Sequence, residues 1–184
     1  DKAVRDWAKA AVRSLRIQMP GKDTTAKLST LSPEEAKAQI SAYKKGDAAL
    51  GEAVYTRASC SACHTVSQDE APKGPYLGNI ANILRRQDLI ESILLPNASI
   101  SQGFSTQMIT LKSGAGVLGF VTDESGDSIS LRDISSKEHS FQKSEIVNRQ
   151  KLPTSLMPPG LMNAFSVHEV ASLITYLEQL AKQE

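Results

Sequence analysis

The feature that most constrains this chain is the segment Cys60-Ser61-Ala62-Cys63-His64, which holds both of its cysteines. Two thiols at this spacing, followed at once by an imidazole, admit only a few chemistries, and the surrounding sequence separates them. A redox dithiol belongs at the start of a helix that follows a strand, whereas Asp47 to Thr56, just upstream, reads as a helix. A structural zinc ion needs four ligands, usually from a second Cys or His pair. The remaining histidines, His139 and His168, stand alone. A disulfide would close a very short, strained loop and leave His64 unexplained. Thioether attachment of a haem uses all three residues: two thiols add across two vinyl groups, and the imidazole is carried beneath the iron.

Composition narrows the setting. At 184 residues and 40% hydrophobic, the chain can build one well-cored domain with some tens of residues to spare. A net charge of +1 without a block of like charge gives nothing that would attract nucleic acid or an anionic membrane. Aromatic residues make up only 5%, thin for a core of this size unless a flat apolar cofactor fills part of it. The longest apolar runs, such as Leu94-Leu95 ended by Pro96, fall far short of a membrane span. The chain begins at Asp1 with neither Met nor a leader, which predicts a processed protein or a piece of a longer one.

The flank Gly51-Glu52-Ala53-Val54-Tyr55-Thr56-Arg57-Ala58-Ser59-Cys60 resembles the first helix of class I cytochromes c. In that family a glycine and an aromatic one turn later cross the C-terminal helix. A partner helix is present: Ser166 and Glu169 form a capping-box pattern, and Val170, Leu173, Ile174, Leu177 and Leu180 make an apolar face. Gly74-Pro75-Tyr76-Leu77-Gly78 resembles the family's glycine-proline-x-leucine loop. The resemblance implies that the Pro75 carbonyl accepts the second ring N–H of the ligating His64, and that Leu77 and Ile93 line the haem. It also places Arg86 where a guanidinium would reach a propionate, a solvated face being the alternative reading for Arg85 and Arg86 alike.

A low-spin carrier needs a sixth ligand, and a thioether favours ferrous iron. Of Met19, Met108, Met157 and Met162, only Met157 lies in a segment, Ser155-Leu156-Met157-Pro158-Pro159-Gly160, that resembles the methionine-proline loop ahead of the last helix in class I cytochromes. His64 and Met157 are the expected axial pair, with Met162 as the alternative and an open sixth position as a third reading. Met19 and Met108 read as packing residues.

The stretch between the two ligands is long for a minimal member of the family. From about 104 to 150 it shows period-two runs at Phe104 to Leu111, Val117 to Thr122, Ser128 to Ile134 and Phe141 to Val147, separated by turn-rich segments. A small antiparallel β insertion is predicted there. The arrangement resembles haem-binding domains at the C-terminal end of large, exported, multidomain bacterial proteins with dehydrogenase-like and helical-repeat parts. The matching stretches are the Cys60 motif, Gly74 to Leu77, Leu89 to Ile100, and Ser155 to Pro158; Tyr76 stands where that group often has an acidic residue. Residues 1–45 fall outside the resemblance. Val4, Trp7, Ala8, Ala11, Val12 and Leu15 recur at helical spacing, and Ser32-Pro33 with Glu35 starts a second helix.

These readings predict a mainly α fold: a class I cytochrome c core over 46–184 with the β insertion, preceded by a helical extension over 1–45 that could end a repeat domain. The function they imply is one-electron transfer by one covalent haem c, with no catalysis of its own. The resemblance implies an extracytoplasmic, periplasmic setting, a dehydrogenase as donor and a cytochrome or oxidase as acceptor. A gas sensor or peroxidase with an open sixth position, and a binding module built on the β insertion, are the rival readings. Covalent attachment predicts that haem stays with the protein after denaturation in acidified organic solvent; free extraction would defeat the central reading. Replacing Cys60 and Cys63 together by Ala is expected to yield a poorly folded apoprotein, because part of the interior would be missing.

Overall fold

Side-chain caps set where the three longest helices begin in the computed structural model, which describes residues 2–6, 23–71 and 73–183. Residues 2–6 are helical and exposed; Trp7, Ala8, Ala11, Val12, Leu15 and Met19 lie outside the described residues. Helix α1, Pro33–Ala42, starts on a complete capping box between Ser32 and Glu35, with Pro33 in the first turn where its missing N–H costs nothing. Helix α2, Ala48–Arg57, is capped by the Asp47 carboxylate, which accepts from the N–H groups of Ala49 and Leu50. A single turn, α3 (Ile80–Ile83), leads into α4 (Arg86–Leu94), which ends just before Pro96. The last helix, α5 (Val167–Leu180), opens on a second complete capping box, Ser166 with Glu169.

Helices α2 and α5 cross at close range. A Cβ on Gly51 would overlap the Ser172 carbonyl and come within 2.7 Å of Tyr176 Cβ, and one on Gly46 would strike the Ser172 backbone. Only glycine permits this approach. The crossing is held further by Gly46 N–H donating to Thr175 Oγ1 at 2.7 Å and Asp47 N–H donating to Ser172 Oγ at 3.1 Å. Around it Val54, Tyr55, Leu89, Ile90, Met162, Val170, Leu173 and Ile174 are buried in one cluster.

That cluster also contains Leu28, Ala36 and Ile40. Residues 23–45 are tied to the start of α5 by Leu28 N–H to Phe165 O at 2.9 Å, Val167 N–H to Ala26 O at 2.9 Å, and a Lys27–Glu169 ion pair at 3.2 Å. Asp23 also accepts from the Ser166 hydroxyl. A boundary between 45 and 46 therefore cuts through a single hydrophobic cluster rather than separating two.

The expectation of a mainly α fold is overturned. Among the described residues helix takes 37% and strand 19%, the latter a five-stranded antiparallel sheet. Its strands are β1 (Gln107–Leu111), β2 (Gly116–Glu124), β3 (Ser128–Arg132), β4 (Glu138–Gln142) and β5 (Ile146–Lys151), in the order β4-β3-β2-β1-β5. The apolar run expected over Phe141 to Val147 is the end of β4, a 3-10 turn at Lys143–Glu145 and the start of β5. β5 escaped the period-two pattern because it is an exposed edge strand, with only Ile146 turned inward. Bulges between Thr110 and Leu111 and between Val121 and Asp123 add twist. The sheet wraps its own small core, Ile109, Ile129 and Leu131, supported by Leu111, Val121, Phe141 and Ile146.

The helix crossing yields a stability test. Gly51→Ala is expected to cost about 1–3 kcal/mol, measured by denaturant unfolding, because its methyl group meets backbone that cannot yield. Gly126→Ala, where a Cβ meets nothing within 4 Å, is expected to stay within about 0.5 kcal/mol of the parent.

Candidate haem site

Helix α2 delivers the cysteine motif through Ser59, whose left-handed backbone (φ 60°) breaks the helix and starts a 3-10 turn over Cys60–Ala62. His64 N–H donates to Cys60 O at 2.9 Å and Cys63 N–H to the same carbonyl at 3.1 Å, so both thiols and the imidazole project from one tight turn. Neither cysteine is in a disulfide. Burial pushes the Cys60 thiol up to about 11, which keeps its sulfur protonated and unreactive toward oxidants at neutral pH.

The orientation of His64 is set from both sides of its residue. Its Nδ1 lies 2.8 Å from the Pro75 carbonyl. A carbonyl only accepts, so Nδ1 carries the hydrogen and the lone pair is left on Nε2. Burial, opposed by this hydrogen bond, holds the imidazole below its usual pKa and so in the neutral form that ligates metals. On the main-chain side the Tyr55 hydroxyl donates to His64 O at 2.8 Å, and burial raises the Tyr55 phenol well above its ordinary value.

The loop that carries Pro75 is stitched to the motif. Leu77 N–H donates to Thr65 O at 2.9 Å, Tyr76 OH to Val66 O at 3.3 Å, and Lys73 Nζ to Ser61 O at 3.2 Å. A Cβ on Gly74 would run into the Cys63 carbonyl, so a glycine is required where the two loops touch. Leu77 and Ile93 both pack, half-buried, against the helical core, together with Ile80, Leu84, Leu94 and Leu161.

Met157 is half-buried in a loop anchored from two directions: its N–H donates to Ser155 Oγ at 3.1 Å, and Ser155 N–H donates to Asn97 Oδ1 at 2.8 Å. Met162, 2% exposed, is part of the apolar cluster, and Met108 lies in β1. Arg86 is engaged elsewhere, pairing with Glu178 of α5 at 2.7 Å and donating to Tyr43 O at 2.9 Å. Arg85 is exposed and pairs with Asp88.

The structure thus brings Cys60, Cys63, His64, Pro75 and Leu77 into one cluster of loops, and puts the Arg86 guanidinium between α1 and α5. Sequence reasoning missed three contributors: the Tyr55 hydroxyl, taken only as a packing ring; Asn97, whose place directly after Pro96 gave the only hint; and the turn between β3 and β4, which touches the motif. Ser136 Oγ donates to Ala62 O at 2.9 Å, and Cys63 Sγ lies 3.7 Å from Ile134 O. Nothing local in the sequence announces that last contact.

Two unpaired thiols on one turn, a neutral imidazole with its outer nitrogen free and half-buried aliphatic walls fit a covalently held haem. Residues 48–124 match the model of the cytochrome c family. A search of curated proteins returns no match. The family match implies a c-type cytochrome segment with covalently bound haem c, a haem-based electron-transfer role and redox partners. Among the described residues no helix is long and apolar enough to cross a membrane.

Tyr55→Phe is expected to leave haem attached while lowering stability by about 0.5–1.5 kcal/mol, the net worth of one hydrogen bond. Comparing denaturant midpoints of the two haem-loaded proteins measures it.

Proposed function

We propose that this chain carries single electrons through a haem held by Cys60 and Cys63, with His64 and Met157 as axial ligands. The observation that carries the reading is the Pro75 contact: it fixes His64 with Nδ1 protonated, so Nε2 is free for iron. Bound there, haem supplies a one-electron couple whose potential depends on axial ligand, burial and hydrogen bonding. The chain's own residues do the rest. The Pro75 carbonyl strengthens His64 as a ligand by accepting the hydrogen bond from its Nδ1–H. Leu77 and Ile93 exclude water from the haem faces. Ser155 and Asn97 hold the main chain around Met157, which limits the positions its sulfur can take.

Met162 is an apolar packing residue in this reading, because freeing a side chain 2% exposed would open the core. Arg86 is left out of the proposed haem set, since Glu178 and Tyr43 O already engage its guanidinium. No catalytic step is assigned to the chain. The donor in this reading is a dehydrogenase, in the same polypeptide or docked, and the acceptor a cytochrome or oxidase. An extracytoplasmic, periplasmic setting goes with covalent haem. The resemblance of the Leu89 to Ile100 and Ser155 to Pro158 stretches to exported dehydrogenase-linked domains supports that assignment.

Met157→Ala is expected to remove the weak near-red band of the oxidised protein, lower the potential and open the iron to carbon monoxide. Absorbance spectra in both redox states check this. An unchanged spectrum would move the ligand to Met162, and ready carbon monoxide binding by the parent protein would favour a sensor or peroxidase.

A further inference from the structure

The turn between β3 and β4, residues 133–137, touches the attachment loop. This turn is built to hold its shape. The Asp133 carboxylate accepts from Ser135 N–H at 2.8 Å, Ser135 Oγ at 2.6 Å and Lys137 N–H at 3.1 Å, and pairs with His139 Nε2 at 2.7 Å. Those bonds hold the Asp133 carboxyl down to about 2. Ser136 sits in the left-handed region at φ 63°, which a non-glycine residue adopts only where its surroundings hold it. The hydroxyl so placed donates to Ala62 O, in the middle of the cysteine motif. The same geometry seats the Ile134 carbonyl 3.7 Å from Cys63 Sγ, a thiol contact that thioether formation would reduce to proximity, and leaves Ile134 57% exposed at the tip.

A turn with four bonds to one carboxylate, a left-handed serine and two contacts to the attachment loop is more than a passive connection between strands. The helical core does not need it: the two hydrophobic clusters are separate, and the sheet has its own core. Its contacts fall on the motif itself, at the residues either side of the Ala62–Cys63 peptide.

We propose that the β3–β4 turn covers the edge of the bound haem at Cys63 and controls access to it, with Ser136 as the positioning residue that docks the turn on the attachment loop. The inference rests on the haem reading above and deepens it. Electrons entering beside the Cys63 sulfur pass the Ile134 tip, so a small reagent, or the surface of a partner, meets the turn before the haem. Sequence beyond the motif thereby tunes the rate of exchange without supplying a ligand.

The test compares Ser136→Gly with Ser136→Asn in the haem-loaded protein. Glycine relieves the backbone strain but deletes the donor; asparagine tolerates the left-handed region and retains a donor. Haem staining of the denatured parent protein comes first, and its absence overturns both the haem reading and this proposal. With haem present, Ser136→Gly is expected to react several-fold faster with hexacyanoferrate in stopped flow and to shift in midpoint potential, while Ser136→Asn stays at parental values. Asp133→Ala, which loosens the turn from its other side, is expected to follow Ser136→Gly. Parental rates and potentials in both Ser136→Gly and Asp133→Ala, with haem still attached, overturn the proposal alone.

Discussion

The close crossing of α2 and α5 is the constraint on which the rest of the structure depends. With Gly46 and Gly51 against the Ser172 backbone, the helices approach near enough for Val54, Val170 and Ile174 to be fully buried between them. Each such side chain contributes about 1.5–3 kcal/mol relative to exposure. Helix α2 ends at Arg57 and the cysteine motif begins three residues later, so the direction in which the motif leaves the core follows from the crossing. A larger residue at position 51 would move the turn that carries both thiols and His64.

From that fixed point the site is assembled by short-range hydrogen bonds rather than by charge. Tyr55, on α2, holds the main chain of His64, and Pro75 holds its ring. Each bond is worth about 1 kcal/mol net, little beside the burial beneath them. Their importance is directional, because together they choose the tautomer and the plane of the imidazole. Charged groups do other work. Glu169, at the start of α5, gathers Lys27 and Arg57 and ties the residues before α1 to α2, and Arg86 links α4 to α5 through Glu178.

The sheet shows how a sequence pattern can be read correctly in kind and wrongly in weight. Alternation over Phe104 to Leu111 and Ser128 to Ile134 announced strands, since β1 and β3 each turn alternate residues into the small core. β4 and β5 carry few apolar residues and depend on pairing with β3 and β1, so the run over Phe141 to Val147 marked only the end of one and the start of the other as a single strand. Five strands rather than a minor insertion changed the class of the fold. Residues 23–45 raise a related point: the capping box at Ser32 was legible, but that Leu28, Ala36 and Ile40 join the same buried cluster as Leu89, Ile90 and the last helix was not, because those members lie far along the chain.

What the sequence by itself determined was local and chemical. The spacing of Cys60, Cys63 and His64, the helix starts at Ser32, Asp47 and Ser166, and the glycine–proline loop at Gly74-Pro75 were all readable, because thioether chemistry, capping and tight turns each demand particular residue types at fixed offsets. Tertiary structure alone decided which distant groups meet: Asn97 with the loop of Met157, Arg86 with Glu178, and Ser136 with Ala62. Those pairings join elements far apart in the chain, and only packing of the helices and the twist of the sheet bring them within hydrogen-bond distance; no offset along the sequence encodes them.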